Sequence, residues 1–276
     1  MKARVLIDCS DEKGLVYNIS KLFFELGLNI DKNSEFVDKE SNKFFMRSEV
    51  SGEFDIENLK SSLLNITPSN ASIKVIPKAT KDIVLMATKE SHCLGDILLK
   101  FEAGELDVNI QAVIANHNNL QSLVERFEIP FIYISANDKS RKIHELEVIE
   151  ALSKIEFDYI VLAKYMRILS SDFVDRYEWK IINIHHSFLP AFIGANPYKQ
   201  AHSRGVKIIG ATAHFVTNNL DEGPIISQDV ISIDHNYNWQ DMRNAGRDVE
   251  KVVLSKALSL VLDDRVFIYQ NKTVIF

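Results

Sequence analysis

Asn183, His185 and Asp221 are the residues of this sequence whose types and spacing best suit chemistry on a carbonyl. Ile181, Ile182 and Ile184 surround Asn183 and His185, and Pro190 follows closely. That pattern reads as a buried strand running out into a loop. Side chains two apart on an extended segment share a face, so Asn183 and His185 should point the same way. One is an uncharged donor and acceptor, and the other gains or loses a proton near neutrality. Asp221, in the turn Asp221-Glu222-Gly223-Pro224, adds a carboxylate from a later loop.

Hydrolysis or transfer of a small acyl group is the simplest chemistry that fits. Attack on a carbonyl builds charge on its oxygen, where a preorganised donor such as the Asn183 amide is worth about 3 kcal/mol. His185 can donate there too, or manage the proton that a leaving nitrogen needs. Asp221 can order the attacking water, take its proton, or hold His185 in a charged form. Taken singly, each residue is ordinary: an Asn or His at a strand end, and an acid in a turn. His214, on a mostly apolar strand, is as readily structural as participating.

Other chemistries lack their signatures. His185 and His186 are neighbours on an extended chain and face opposite ways, and no third ligand stands at a zinc spacing, so no metal is expected. No Gly-x-Ser-x-Gly elbow is present, and no Gly-x-Gly-x-x-Gly or P-loop follows a strand. A covalent intermediate, a dinucleotide and any other cofactor are therefore not expected.

These side chains need a scaffold, and the chain offers one in two parts. Strands over 2–8, 29–37, 44–50 and 73–76, with helices over 15–26 and 56–64, give the order strand-helix-strand-strand-helix-strand. That is the split βαβ, or ferredoxin-like, arrangement. Gly27 should close the first helix in a left-handed conformation. Residues 78–82 form a short polar linker. Beyond it come strands over 83–87, 108–115, 130–134, 159–163 and the one ending at His185, with helices over 93–101, 120–127 and 142–155 between them. Alternation of this kind predicts a doubly wound, mostly parallel sheet, in which ligands bind beyond the carboxyl ends of the strands. Strands over 208–216 and 225–233, a helix over 241–262 and a terminal hairpin complete the reading. The expected domains are thus 1–77 and 83–276.

The chain has 276 residues, 46% hydrophobic and 25% charged, which is ordinary for a soluble globular protein. A formal charge of −6 argues against a nucleic-acid or membrane-surface role. No apolar run approaches the roughly 18 to 20 residues of a membrane span. Cys9 and Cys93 are too few for a disulfide framework, and a cytoplasmic location is expected.

Two resemblances sharpen this reading. Asp11, Gly14, Leu15 and Val16, followed by a helix and then Gly27-Leu28-Asn29-Ile30, look like an ACT domain. The ACT turn commonly reads Asp-Arg-Pro-Gly, whereas Glu12 and Lys13 stand here. The resemblance implies a small amino-acid effector site involving Asp11, Gly14 and Asn29, often at a dimer interface, or a module that only assembles subunits. Asn183, His185, Ser187, Leu189 and Pro190, then Gly194, Gly210, Thr212, His214, Asp221, Gly223 and Pro224, resemble the folate-dependent formyltransferase superfamily. Within it, Glu90-Ser-His92-Cys93, Lys164-Tyr165-Met166-Arg167, the doubled His185-His186 and Gly246-Arg-Asp-Val-Glu250 look like the formyltetrahydrofolate deformylase family.

That resemblance covers nearly the whole chain and assigns Asn183, His185 and Asp221 as a catalytic trio. It implies hydrolysis of 10-formyltetrahydrofolate to tetrahydrofolate and formate without a metal, in one-carbon and purine metabolism, with feedback by glycine and methionine. It also implies that Met166, Arg167, Leu169, Gly194 and His214 line the folate slot, and that the chain forms a homo-oligomer. Two rivals remain: a transferase passing the formyl group to an amine, and a regulatory protein that binds folate or an amino acid without turnover.

Overall fold

The computed structural model describes residues 1–191 and 197–276. Its chain forms two compact units, Met1–Ala79 together with Phe276, and Thr80–Ile275.

The first unit runs β1 (Lys2–Ser10), α1 (Leu15–Glu25), β2 (Asn29–Asp38), β3 (Lys43–Ser51), α2 (Ile56–Ile66) and β4 (Ser72–Pro77). Its sheet has the order β2-β3-β1-β4 with every pairing antiparallel, the split βαβ topology. Alternate residues of β1, namely Ala3, Val5, Ile7 and Cys9, pack with Leu15, Ile19 and Phe23 of α1 and Leu59 and Leu63 of α2. Gly27 has φ 70°, the left-handed close expected after α1. Asp55 caps α2 by accepting from the Asn58 amide at 2.9 Å.

In the second unit β5 (Lys81–Ala87), β6 (Val108–Ala115), β7 (Phe131–Tyr133), β8 (Tyr159–Leu162) and β9 (Ile181–His185) are all parallel to one another. Two antiparallel strands, β10 (Ile208–Phe215) and β11 (Ile225–Ser232), extend the sheet to the order β11-β10-β9-β8-β5-β6-β7. The fold is therefore α/β with a mostly parallel central sheet. From β5 the chain builds outward to β7 on one side and to β9 on the other. The strand order thus reverses between β5 and β8, the place where open sheets of this kind hold ligands.

One face of this sheet packs Ile83, Leu85, Ile182, Ile184 and Ala213 against α3 (His92–Glu102) and α8 (Trp239–Leu262). The other packs Val84, Met86, Ile160 and Leu162 against α5 (Arg141–Leu152) and α6 (Ser171–Arg176). Strands covered on both sides read as unbroken apolar runs for this reason.

The elements depart from expectation in four places. Residues 120–127 hold only a single turn, α4 (Gln121–Val124), and a 3-10 turn, Glu125–Phe127, ended by Glu128 at φ 58°. The short α6 and the polar α7 (Pro197–Arg204) have too few apolar positions to show a period. Helix α8 starts two residues early because Asn238 and Asp241 form a reciprocal capping box. Lys81 and Asp82, expected in a linker, already pair with β6, and Lys81 reaches Asp264 at 3.4 Å. The hairpin of β12 (Val266–Tyr269) and β13 (Lys272–Ile275) closes the unit.

Candidate active site

The carboxyl ends of β5, β8 and β9 open into a cleft of about 830 Å³. Asn183 and His185 reach it from one face of β9, because Ile182 and Ile184 between them turn into the core on the other face. Strand β10 pairs with β9 so that His214 lies directly opposite Asn183. Opposed residues on one face are contact neighbours, and the Asn183 amide donates to His214 Nε2 at 3.2 Å. His214 Nδ1–H in turn donates to the Phe215 carbonyl at 2.8 Å. Burial lowers the His214 pKa against the pull of that carbonyl and of Asp221. A neutral ring carrying its proton on Nδ1 leaves Nε2 as an acceptor, which fixes which way the Asn183 amide faces.

Asp221 arrives on the loop between β10 and β11. Its backbone is left-handed, φ 58°, a conformation aspartate tolerates better than most side chains at a cost of about 1 kcal/mol. Two residues on, a Cβ added to Gly223 would sit 1.8 Å from the Phe215 carbonyl oxygen, so only glycine lets the loop close there. The loop is tied from outside as well: Asn218 donates to Asp175 of α6 at 2.8 Å, and Asn271 donates to the Glu222 carbonyl at 2.9 Å. So held, Asp221 Oδ2 lies 3.3 Å from His185 Nδ1 and Oδ1 lies 3.8 Å from His214 Nε2. Burial alone would raise this carboxyl. The His185 hydrogen bond and the three imidazoles around it outweigh burial and hold it below the usual carboxylate range.

His185 is itself 6% exposed, and its Nε2 is buried with no hydrogen-bond partner among the described residues. A buried polar atom without a partner is uncommon and marks a place for a ligand atom or water. The segment after His185 is pinned by Thr212, whose hydroxyl donates to the Ser187 carbonyl at 2.9 Å and accepts from the Leu189 amide at 3.1 Å.

Met166, Arg167, Leu169 and His214 all line the cleft. Met166 is 58% exposed, and its amide donates to Thr88 Oγ1 at 3.0 Å. Gly194 lies outside the described residues. In the first unit, Asp11 and Gly14 form the turn that follows β1, and Gly14 adopts φ 96°. Asn29, however, opens β2 opposite Ser51, which pairs with Lys2 at the far end of β1. At about 3.3 Å per residue, a nine-residue strand separates it from the turn by roughly 25–30 Å. A single chain therefore does not bring Asn29 together with Asp11 and Gly14.

Sequence reasoning named no site role for the wall beyond His186. Glu250 is 1% exposed; its carboxylate accepts from Tyr198 Oη at 2.7 Å, meets His92 Nε2 at 2.8 Å and lies 3.1 Å from Lys164 Nζ. Burial opposes its charge, but these partners prevail and bring its pKa down to about 2. His186 is pushed down to about 4, first by burial and then by Lys164. His92, Cys93 and Glu250 are close enough to share a cation. Yet burial drives the Cys93 thiol pKa far up, and an ammonium already compensates Glu250, so the donor set suits this ion-pair network better. A faint signal existed: Trp239, Arg243, Arg247 and Glu250 recur at helical spacing along α8.

Residues 81–258 match the Formyl transferase family. Over 274 residues, 99% of each chain, the sequence is 54% identical to the formyltetrahydrofolate deformylase of Haemophilus influenzae. This chain belongs to the formyltetrahydrofolate deformylase family. The crystal structure of a formyltetrahydrofolate deformylase from Pseudomonas syringae superposes with a TM-score of 0.94 at 40% identity, covering 100% of this chain and 95% of that one. Glycinamide ribonucleotide transformylase 1 from Symbiobacterium toebii superposes less closely, with a TM-score of 0.68 at 27% identity over 71% of this chain and 94% of that one. The deformylase family thus shares a fold with transferases but extends over the whole of this chain.

Proposed function

We propose that this protein hydrolyses 10-formyltetrahydrofolate to tetrahydrofolate and formate. The observation that carries the mechanism is Asp221, a carboxylate of lowered pKa set between His185 and His214, beside an unpartnered His185 Nε2. Water held by Asp221 adds to the formyl carbon, and the carboxylate takes its proton. The second amide hydrogen of Asn183 and a proton on His185 Nε2 receive the oxyanion. Collapse breaks the carbon–nitrogen bond, the folate nitrogen regains a proton, and formate leaves. In this reading the slot for the folate is walled by Met166, Arg167, Leu169 and the Asp221 loop, His214 positions Asn183, and the reaction draws on no metal or cofactor.

The first unit is proposed to be an ACT-type module responding to glycine or methionine. Its strand order supports that reading. Because Asn29 and the Asp11–Gly14 turn stand at opposite ends of the sheet, a site using all three requires two copies, so this effector reading goes with a homo-oligomer.

The likeness to a transformylase favours a second reading, with an amine in place of water. The purified protein incubated with 10-formyltetrahydrofolate alone separates the two. Equal release of tetrahydrofolate and formate, lost in His185→Ala, is the expected result. Turnover only after a ribonucleotide amine is added would make the protein a transferase, and folate binding without either reaction would make it a sensor.

A further inference from the structure

Beyond His186 the cleft wall becomes cationic, and its charges do not balance. Lys164, Arg247, Arg243 and Lys199 all line this part of the cleft, with Glu90 and Glu250 as the acids among them. Glu250 lies 3.1 Å from Lys164, and Glu90 accepts from Arg247 at 2.6 Å. That accounts for two cations and both acids. The Lys199 ammonium rests 4.8 Å and the Arg243 guanidinium 5.7 Å from the Trp239 ring, and neither is paired with a described carboxylate.

The hydrogen-bond ledger is short at the same place. Nε of Arg243 and Nε of Arg247 are both buried without an acceptor among the described residues. Leaving such a donor unmet is unfavourable. Two cations gathered on one indole in the cleft wall, neither held by a described carboxylate, match the needs of a planar or tetrahedral oxyanion. Positions 239, 243 and 247 present this set from one stripe of α8, so it is preformed by the helix.

We propose that this part of the cleft is a small-oxyanion subsite, with Arg243 as its principal ligand and Lys199 as the second cation, taking a carboxylate or phosphate group. Two sources share that chemistry: formate produced at the neighbouring trio, and the phosphate of a phosphorylated metabolite. The formate source rests on the hydrolase reading; the subsite itself does not.

Trp239 supplies the readout, since Trp179 is the other of two tryptophans. The full-length protein is titrated with sodium formate and, separately, with inorganic phosphate at constant ionic strength, following tryptophan fluorescence and calorimetric heat. The expected result is saturable binding of at least one anion, weakened about tenfold or more in Arg243→Met and partly restored in Arg243→Lys. Lys199→Met, on an exposed helix position, should weaken it as well and guards against misfolding of the arginine variants. Formate binding alone identifies the reaction product as the source, and phosphate binding alone identifies a phosphorylated ligand. Absence of saturable binding of either anion, or binding indifferent to both Arg243→Met and Lys199→Met, overturns the proposal. Hydrolytic turnover is recorded in the same preparations, so its absence beside intact anion binding counts against the hydrolase reading alone.

Discussion

Asp221 and Asn183 serve the addition step in different ways, one as base and the other as oxyanion donor. Asp221→Asn keeps the shape of the loop but removes the base, and kcat should fall by about 10²–10⁴. Asn183→Ala removes an oxyanion donor and should cost about 10²–10³, mostly in kcat. Formate release measured at saturating folate checks both, and near-normal turnover in folded Asp221→Asn sinks the mechanism. His186 makes a separate prediction about acid. An unfolded imidazole takes its proton near 6.5, whereas folded His186 resists until about 4. Between those values the unfolded chain binds more protons, so stability falls as the pH drops from about 6.5 towards about 4. His214 contributes in the same direction. Melting temperatures across that window should decline less steeply in His186→Gln than in the wild type.

At the scale of elements, two glycines are required by neighbours rather than by turns of their own. Gly223→Ala would press a methyl group against the Phe215 carbonyl and displace the Asp221 loop. Activity should fall well before stability does, and the variant's kcat against its melting temperature tests this order. Gly246 lies on α8 where an added Cβ would meet Tyr198 Oη at 2.1 Å. Tyr198 cannot simply swing aside, because it is buried and donates to Glu250. Gly246→Ala should therefore destabilise the protein by about 1–3 kcal/mol in denaturant unfolding. No loss would mean that α7 and α8 can move apart freely.

At the scale of the molecule, the first unit leaves large apolar side chains in solvent. Tyr17 is 67% and Phe24 82% exposed, seven residues apart on α1, and β2 is a largely exposed edge strand. Light scattering should give a multiple of the 31.5 kDa chain mass, reduced by Phe24→Glu. A monomer in the wild type would remove the support for an effector site shared between copies.

Local pattern and near-neighbour spacing were enough to read much of this from sequence. The βαββαβ order, the parallel core strands and the common face of Asn183 and His185 follow from periods of 3.6 and 2 and from turn residues, all properties of short stretches. The short α6 and α7 escaped because a helix of six or eight residues contains too few apolar positions to display a period. What no short stretch specifies is which distant segments meet. The antiparallel placement of β10 decided that His214, open to either role in sequence, faces Asn183 and orients it. The fold alone separated Asn29 from Asp11, gathered Lys164, Tyr198 and His92 on Glu250, and brought Lys199 of α7 onto the Trp239 ring of α8. Those contacts join residues far apart in the chain, and tertiary packing creates the burial and charge that give them their chemistry.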